Sequence, residues 1–113
     1  MGEKTMKSVG QIQNVAVIGT GTMGPGIAQI FAQGGLKVVL YDIKEDQLEK
    51  ASKAIQNNLK IFQETGFLTS KEVDEVRKRI LSTSNLDEAV KKADFVLEAV
   101  PEILTLELAG RAH

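Results

Sequence analysis

Three glycines, Gly19, Gly21 and Gly24, stand in the spacing G-x-G-x-x-G directly behind the apolar run Val15-Ala16-Val17-Ile18. A helix-like stretch from Pro25 to Gln33 follows. Strand, tight turn and helix, in that order, are what a dinucleotide-binding turn requires. Gly19 lets the chain reverse sharply. Gly21 lets the backbone approach a pyrophosphate that any Cβ would strike, and Gly24 lets the helix sit close on the strands. The N–H groups of the first helical turn then face the anion, and the helix dipole favours its charge. Thr22 and Met23 fill the turn beside the cofactor, and Met23 reads as a packing residue. Glycines also mark ordinary turns, and the chain has ten of them, so context matters. It comes from Lys37 to Tyr41, a nearly continuous apolar strand ending at Asp42. Asp42 lies about as far downstream as an acidic residue that bonds the adenosine ribose.

The remaining elements follow from periodicity and punctuation. In the first helix Ile27, Ile30 and Phe31 share a face with Ala28 close by, Pro25 suits the first turn, and Gly34-Gly35 stops it. Asp42-Ile43-Lys44-Glu45 reads as a capping box, a second use for Asp42 that is compatible with the first. Leu48, Ala51, Ile55, Leu59 and Phe62 recur at helical spacing to about Thr65, and Gly66 ends that helix. Thr69-Ser70-Lys71-Glu72 is another capping box, opening a helix with Val73 and Val76 inward. Ile80 to Thr83 is a third strand. Ser84 to Ala93 is a short helix with Leu86, Ala89 and Val90 inward. Asp94 to Val100 is a fourth strand, stopped by Pro101.

This is an α/β pattern. It predicts a Rossmann-type parallel sheet of order 3-2-1-4, joined by right-handed crossovers, with a helical hairpin inserted between strands two and three. The chain has 113 residues, room for one small domain but less than a full doubly wound domain usually needs, so the sheet is expected to be incomplete. Residues 1–12 read as a leader or tag, 13–102 as the dinucleotide-binding domain, and 103–113 as an atypical tail. Leu104, Leu106 and Leu108 alternate with Thr105 and Glu107, which suits a short strand, while Ile103, Leu104 and Leu108 also allow a helix.

Composition narrows the chemistry. The formal net charge is −1 and cysteine is absent, so neither a nucleic-acid-binding patch nor a thiolate nucleophile or cysteine-held metal is expected. No apolar run reaches the roughly 20 residues of a membrane span. The N-terminus lacks the apolar centre of a signal peptide, making a cytoplasmic or organelle-matrix location the default. The one histidine, His113, is the last residue, so the sequence holds no internal histidine to act as a general base.

The stretch Val15 to Ala28, with Gly19-Thr20-Gly21-Thr22-Met23-Gly24-Pro25-Gly26-Ile27-Ala28 at its centre, resembles the opening of the 3-hydroxyacyl-CoA dehydrogenases. Val39-Leu40-Tyr41-Asp42 and Asp94-Phe95-Val96-Leu97-Glu98-Ala99-Val100-Pro101-Glu102 are similar to that family as well, as is the helical hairpin. The resemblance covers roughly residues 12–102, and the 3-hydroxybutyryl-CoA dehydrogenases look like the nearest branch. It implies NAD as cofactor and hydride transfer between an L-3-hydroxyacyl-CoA and the 3-ketoacyl-CoA. It implies cofactor contacts at Ala99, Val100 and Glu102, the last reaching the nicotinamide ribose or else standing as a solvated carboxylate. It implies a coenzyme A arm carrying Asn58 and Lys60, residues that otherwise read as an ordinary solvated face. The family's catalytic histidine and its orienting glutamate fall beyond this sequence, and Glu107 stands where family members carry a cofactor-contacting lysine. The chain alone is therefore expected to be inactive.

Two other readings stay open: the NAD-binding part of another hydroxyacid dehydrogenase, and a non-catalytic nucleotide-binding or interaction module. Strand four is expected to end the sheet with a bare outer edge, through which the chain would pair with a second copy.

Overall fold

The computed structural model describes residues 12–21, 23–99 and 104–108. Strand β1 (Asn14–Ile18) leads into helix α1 (Gly24–Gln33) and strand β2 (Lys37–Tyr41). Helices α2 (Glu45–Glu64) and α3 (Ser70–Arg79) form the hairpin ahead of β3 (Ile80–Thr83). Helix α4 (Leu86–Val90), β4 (Phe95–Ala99) and β5 (Leu104–Leu108) complete the order. The five strands run β3-β2-β1-β4-β5 across one sheet. The first four are parallel, with Val15 opposite both Val38 and Phe95, and Val38 opposite Ile80. The expected order 3-2-1-4 is what the sheet shows.

The tail resolves its strand-or-helix ambiguity as a strand. β5 runs antiparallel to β4, pairing Phe95 with Leu108 and Ala99 with Leu104. The expectation of a bare outer edge on strand four is thereby corrected: the chain turns back and supplies the missing ladder itself, as only an antiparallel return over a short connection allows.

Side chains alternate across a strand, so each strand sends every second residue to one face. Val15 and Val17 of β1 and Val38 and Leu40 of β2 form one core with Ala28 and Ala32 of α1, four residues of α2, and Val73 and Val76 of α3. The α2 contribution is Leu48, Ala51, Ile55 and Leu59; Phe62, read in the same series, is half-buried and packs its ring against Phe67 at 5.7 Å instead. Leu40 and Leu59 are 0% and 1% exposed, and burial of each is worth roughly 1.5–3 kcal/mol. Helix α4 touches β1, β2 and β3 and buries Ala89.

Several local expectations change. Ile27 and Phe31 pack half-buried against the core with Ala28, as expected, but Ile30 is 70% exposed, and the residues α1 buries most fully are Gly24, Pro25, Ala28, Gln29 and Ala32. Small residues let the helix approach the sheet closely, and that proximity decides its buried face over bulk hydrophobicity. Leu86 is 48% exposed, not inward. Helix α4 is shorter than the 84–93 expected, because Asn85 caps it, its Oδ1 accepting the Glu88 N–H at 3.0 Å. Its last turn gives way at Lys91.

The second capping box is present in full. The Glu72 N–H donates to Thr69 Oγ1 at 3.1 Å, and the Thr69 N–H donates to Glu72 Oε1 at 2.8 Å. The first is not. Lys44, not Asp42, occupies the cap position of α2 and offers no side-chain bond there. Asp42 is turned elsewhere.

Candidate cofactor site

The site lies where β1 and β2 end side by side. Ile18 is in register with Tyr41, and the Gly19 N–H donates to the Tyr41 carbonyl at 2.8 Å. Gly19 has φ 91°, the left-handed region that a side chain resists. The chain reverses here, and the Gly24 N–H closes the turn onto the Thr20 carbonyl at 3.0 Å. A Cβ on Gly24 would stand 2.6 Å from the Gly19 carbonyl oxygen. The third glycine of the motif is thus required by contact between the start of α1 and the end of β1. The neighbouring Gly26 has nothing within 4 Å of its Cβ position.

The start of α1 carries no acidic residue, and Met23 at its cap provides no side-chain acceptor. The positive end of the helix dipole is therefore uncompensated by any side chain described there, which favours an anion. Met23 is 42% exposed at the rim of the turn; its expected packing role is corrected, since the turn lifts it away from the core.

Asp42 closes the other side. Its Oδ2 accepts from the Thr20 N–H at 3.1 Å and the Thr20 hydroxyl at 2.8 Å. Its Oδ1 accepts from the Lys44 N–H at 2.9 Å. Partial burial pushes the carboxyl up, but the bonds from Lys44 and Thr20, with the nearby Lys44 charge, outweigh that and hold it below its ordinary 3.8. A carboxylate has about four acceptor positions. Three are taken, leaving room on Oδ1 for one further donor. Thr20, 1% exposed, is the residue that sequence reasoning passed over. The available signal was a hydroxyl side chain between the first two glycines.

Gly19, Gly21, Met23, Gly24 and Asp42 are brought together at this end of the sheet. Ala99 ends β4, the strand paired with β1 on the side away from β2. Thr22, Val100 and Glu102 lie outside the described residues. Asn58 and Lys60 are both exposed on α2. Two positions apart on an α-helix, they point about 200° away from each other and do not form one surface. Lys60 borders a hollow of about 320 Å³ with Arg77 of α3, whereas Asn58 does not. Among the described residues no group of acidic or histidine side chains is arranged to hold a metal ion. No described helix is long and apolar enough to cross a membrane.

The chain is similar to known proteins in sequence and fold. The chain is 39% identical over 98 residues to 3-hydroxyadipyl-CoA dehydrogenase of Escherichia coli, an overlap of 87% of this chain and 20% of that one. It is 39% identical over 97 residues to 5-formyl-3-hydroxy-2-methylpyridine 4-carboxylate 5-dehydrogenase of Mesorhizobium japonicum, covering 85% and 30%. The crystal structure of (S)-3-hydroxybutyryl-CoA dehydrogenase from Ralstonia eutropha superposes with a TM-score of 0.77 at 33% identity, over 82% of this chain and 32% of that one. The chain thus spans about a third or less of these relatives. The NAD-binding domain of 3-hydroxyacyl-CoA dehydrogenase matches residues 14–108, and with the sheet order in agreement, the chain belongs to that family.

Proposed function

We propose that this chain binds NAD for an oxidoreductase acting on an L-3-hydroxyacyl-CoA, with 3-hydroxybutyryl-CoA as the substrate. The observation that carries the cofactor part is the pairing of the glycine turn with Asp42 across the ends of β1 and β2. In this reading the pyrophosphate lies over Gly19, Gly21, Thr22, Met23 and Gly24, and the remaining acceptor position of Asp42 takes an adenosine ribose hydroxyl. Ala99, Val100 and Glu102 line the nicotinamide side, and Asn58 and Lys60 belong to the coenzyme A arm. Residues 13–102 form the cofactor unit, with the strand of the 103–113 tail added to its edge. NAD supplies the hydride acceptor. The proton-accepting histidine of the reaction is not among residues 1–112, so acetoacetyl-CoA with NADH is expected to show no turnover by this chain.

The relatives act on different substrates by name, a hydroxyadipyl-CoA and a pyridine carboxylate among them. The acyl-CoA reading rests on the family match and on the helical hairpin. Two-fold association is proposed through the outer side of β5, to which no described strand pairs. A monomer at ~100 μM in light scattering, within the range where open edges associate, would count against it. The location proposed is cytoplasmic.

Calorimetric titration tests the central claim. NAD is expected to bind and NADP to bind more weakly, because a 2′-phosphate meets the Asp42 carboxylate. Equal affinity for the two would remove Asp42 from the ribose site, and no heat with either would remove the cofactor assignment.

A further inference from the structure

At the opposite end of the sheet, where the strands begin, lies a hollow of about 490 Å³. It is on the order of 15 Å from the glycine turn, one five-residue strand at 3.3 Å per residue. Cationic side chains from three separate parts of the fold border it: Lys37 at the start of β2, Lys78 and Arg79 at the end of α3, and Lys91 and Lys92 just after α4. Glu88 is the one acidic residue in its described lining. Val39, Leu81 and Ala89 give it an apolar floor, and Leu81 is left 63% exposed.

Arg79 is anchored, its Nη1 donating to the Ala32 carbonyl at 2.9 Å. The four lysines make no ion pair among the described residues, where the one such pair joins Lys53 to Glu49. Cations at the end of α3 complement its dipole, which accounts for Lys78 and Arg79. Lys91, the C-cap residue of α4, complements that helix end in the same way, but the dipoles account neither for Lys37 nor for cations of three separate elements bordering one concavity. Like charges facing one hollow repel, and a multiply charged anion relieves that repulsion. The exposed leucine calls for an apolar or aromatic body on the ligand. The volume is that of a small-molecule site, which typically spans roughly 300–1,000 Å³, not of a peptide groove.

We propose that this hollow is a second ligand site, for an organic polyphosphate carrying a flat or apolar group, separate from the cofactor turn. The proposal stands apart from the cofactor reading. ATP is the probe, titrated into the ¹⁵N-labelled chain with excess NAD present to occupy the turn. Saturable shifts are expected at the amides of Val39, Leu81, Ala89 and Ala93. The triple variant Lys37→Gln/Lys91→Gln/Lys92→Gln is expected to weaken ATP about tenfold or more, as loss of charged hydrogen bonds does, with its melting profile and NAD affinity unchanged. If the triple variant melts early, Lys37→Gln alone carries the same test at smaller amplitude. Shifts confined to Gly19–Gly24 and Asp42, or an ATP affinity untouched by the substitutions, overturn the proposal. Equal binding of inorganic tripolyphosphate overturns the part assigned to the apolar floor.

Discussion

Asp42-Ile43-Lys44-Glu45 and Thr69-Ser70-Lys71-Glu72 carry the same pattern, a polar residue with glutamate three positions on, each opening an amphipathic helix. Thr69 and Glu72 close on each other. Asp42 makes no bond to Glu45; one oxygen takes the N–H of Lys44 at the helix start, and the other bonds Thr20, beyond the end of another strand. The difference is what stands nearby. Thr69 sits in the exposed bend of the hairpin, where its own helix offers the nearest orphan donors. Asp42 ends β2 beside β1, where a buried hydroxyl and an N–H from the turn compete for it. One pattern therefore serves a helix end in the hairpin and organises a site at the sheet.

The sharpest way to break this contrast is at the turn itself. Gly24→Ala places a methyl 2.6 Å from a backbone oxygen. Such overpacking costs about 1–3 kcal/mol, occasionally more, and shifts α1 off the turn, so a lower melting temperature and loss of NAD binding are expected together. Gly26→Ala, with open space at its Cβ position, should instead hold or raise the melting temperature, since alanine favours a helix by about 1 kcal/mol over glycine. Equal melts for the two would mean that the close approach of α1 is not required.

Next in size are the two sides of the comparison. Asp42→Ala should weaken NAD by about 1–3 kcal/mol, the worth of a charged hydrogen bond, and should leave α2 intact because Asp42 does not cap it. Thr69→Ala should lower stability by about 1 kcal/mol, the usual worth of a cap, and leave NAD affinity alone. Calorimetry and thermal melts on both variants read the crossed pattern. If Asp42→Ala cost stability by fraying α2 and left binding untouched, the two motifs would be equivalent after all.

What could be read from sequence was what is local. The glycine spacing, the Thr69–Glu72 box and the apolar faces of α2 and α3 each depend on residues within a turn or two, and they stand as expected. The orientation of Asp42 depends on Thr20, 22 positions away, and no local pattern reports that partner. The exposed Ile30 was unreadable for a related reason: the face that α1 buries is chosen by how closely Gly24 lets it approach the sheet. In the tail, spacings of two and of three to four coexisted, and the open ladder of β4 decided for the strand. Among the proposed site residues, the turn and Asp42 carry a signal in their spacing, and the structure sets them side by side. Asn58 and Lys60 rest on the family resemblance, with no geometric signature of their own.

The smallest effect concerns pH, and it separates Asp42 from an ordinary exposed carboxylate. Its folded-state pKa lies below the ordinary 3.8, so the native state binds its proton less readily than the unfolded chain does. Linkage then makes it contribute stability above the unfolded value, and that contribution is lost as pH falls through the folded one. Asp42→Asn removes the titrating group while keeping an acceptor for Thr20. The wild-type chain should lose more stability than the variant between about pH 5 and pH 2, the interval flanking an aspartate's ordinary pKa, and their difference should be flat from pH 5 to 8. Urea melts at a series of pH values measure this directly. If the two curves ran parallel through the acid range, the bonds to Thr20 and Lys44 would not favour the charged form, and Asp42 would be no better prepared for a ribose hydroxyl than a carboxylate on the exposed face of α2.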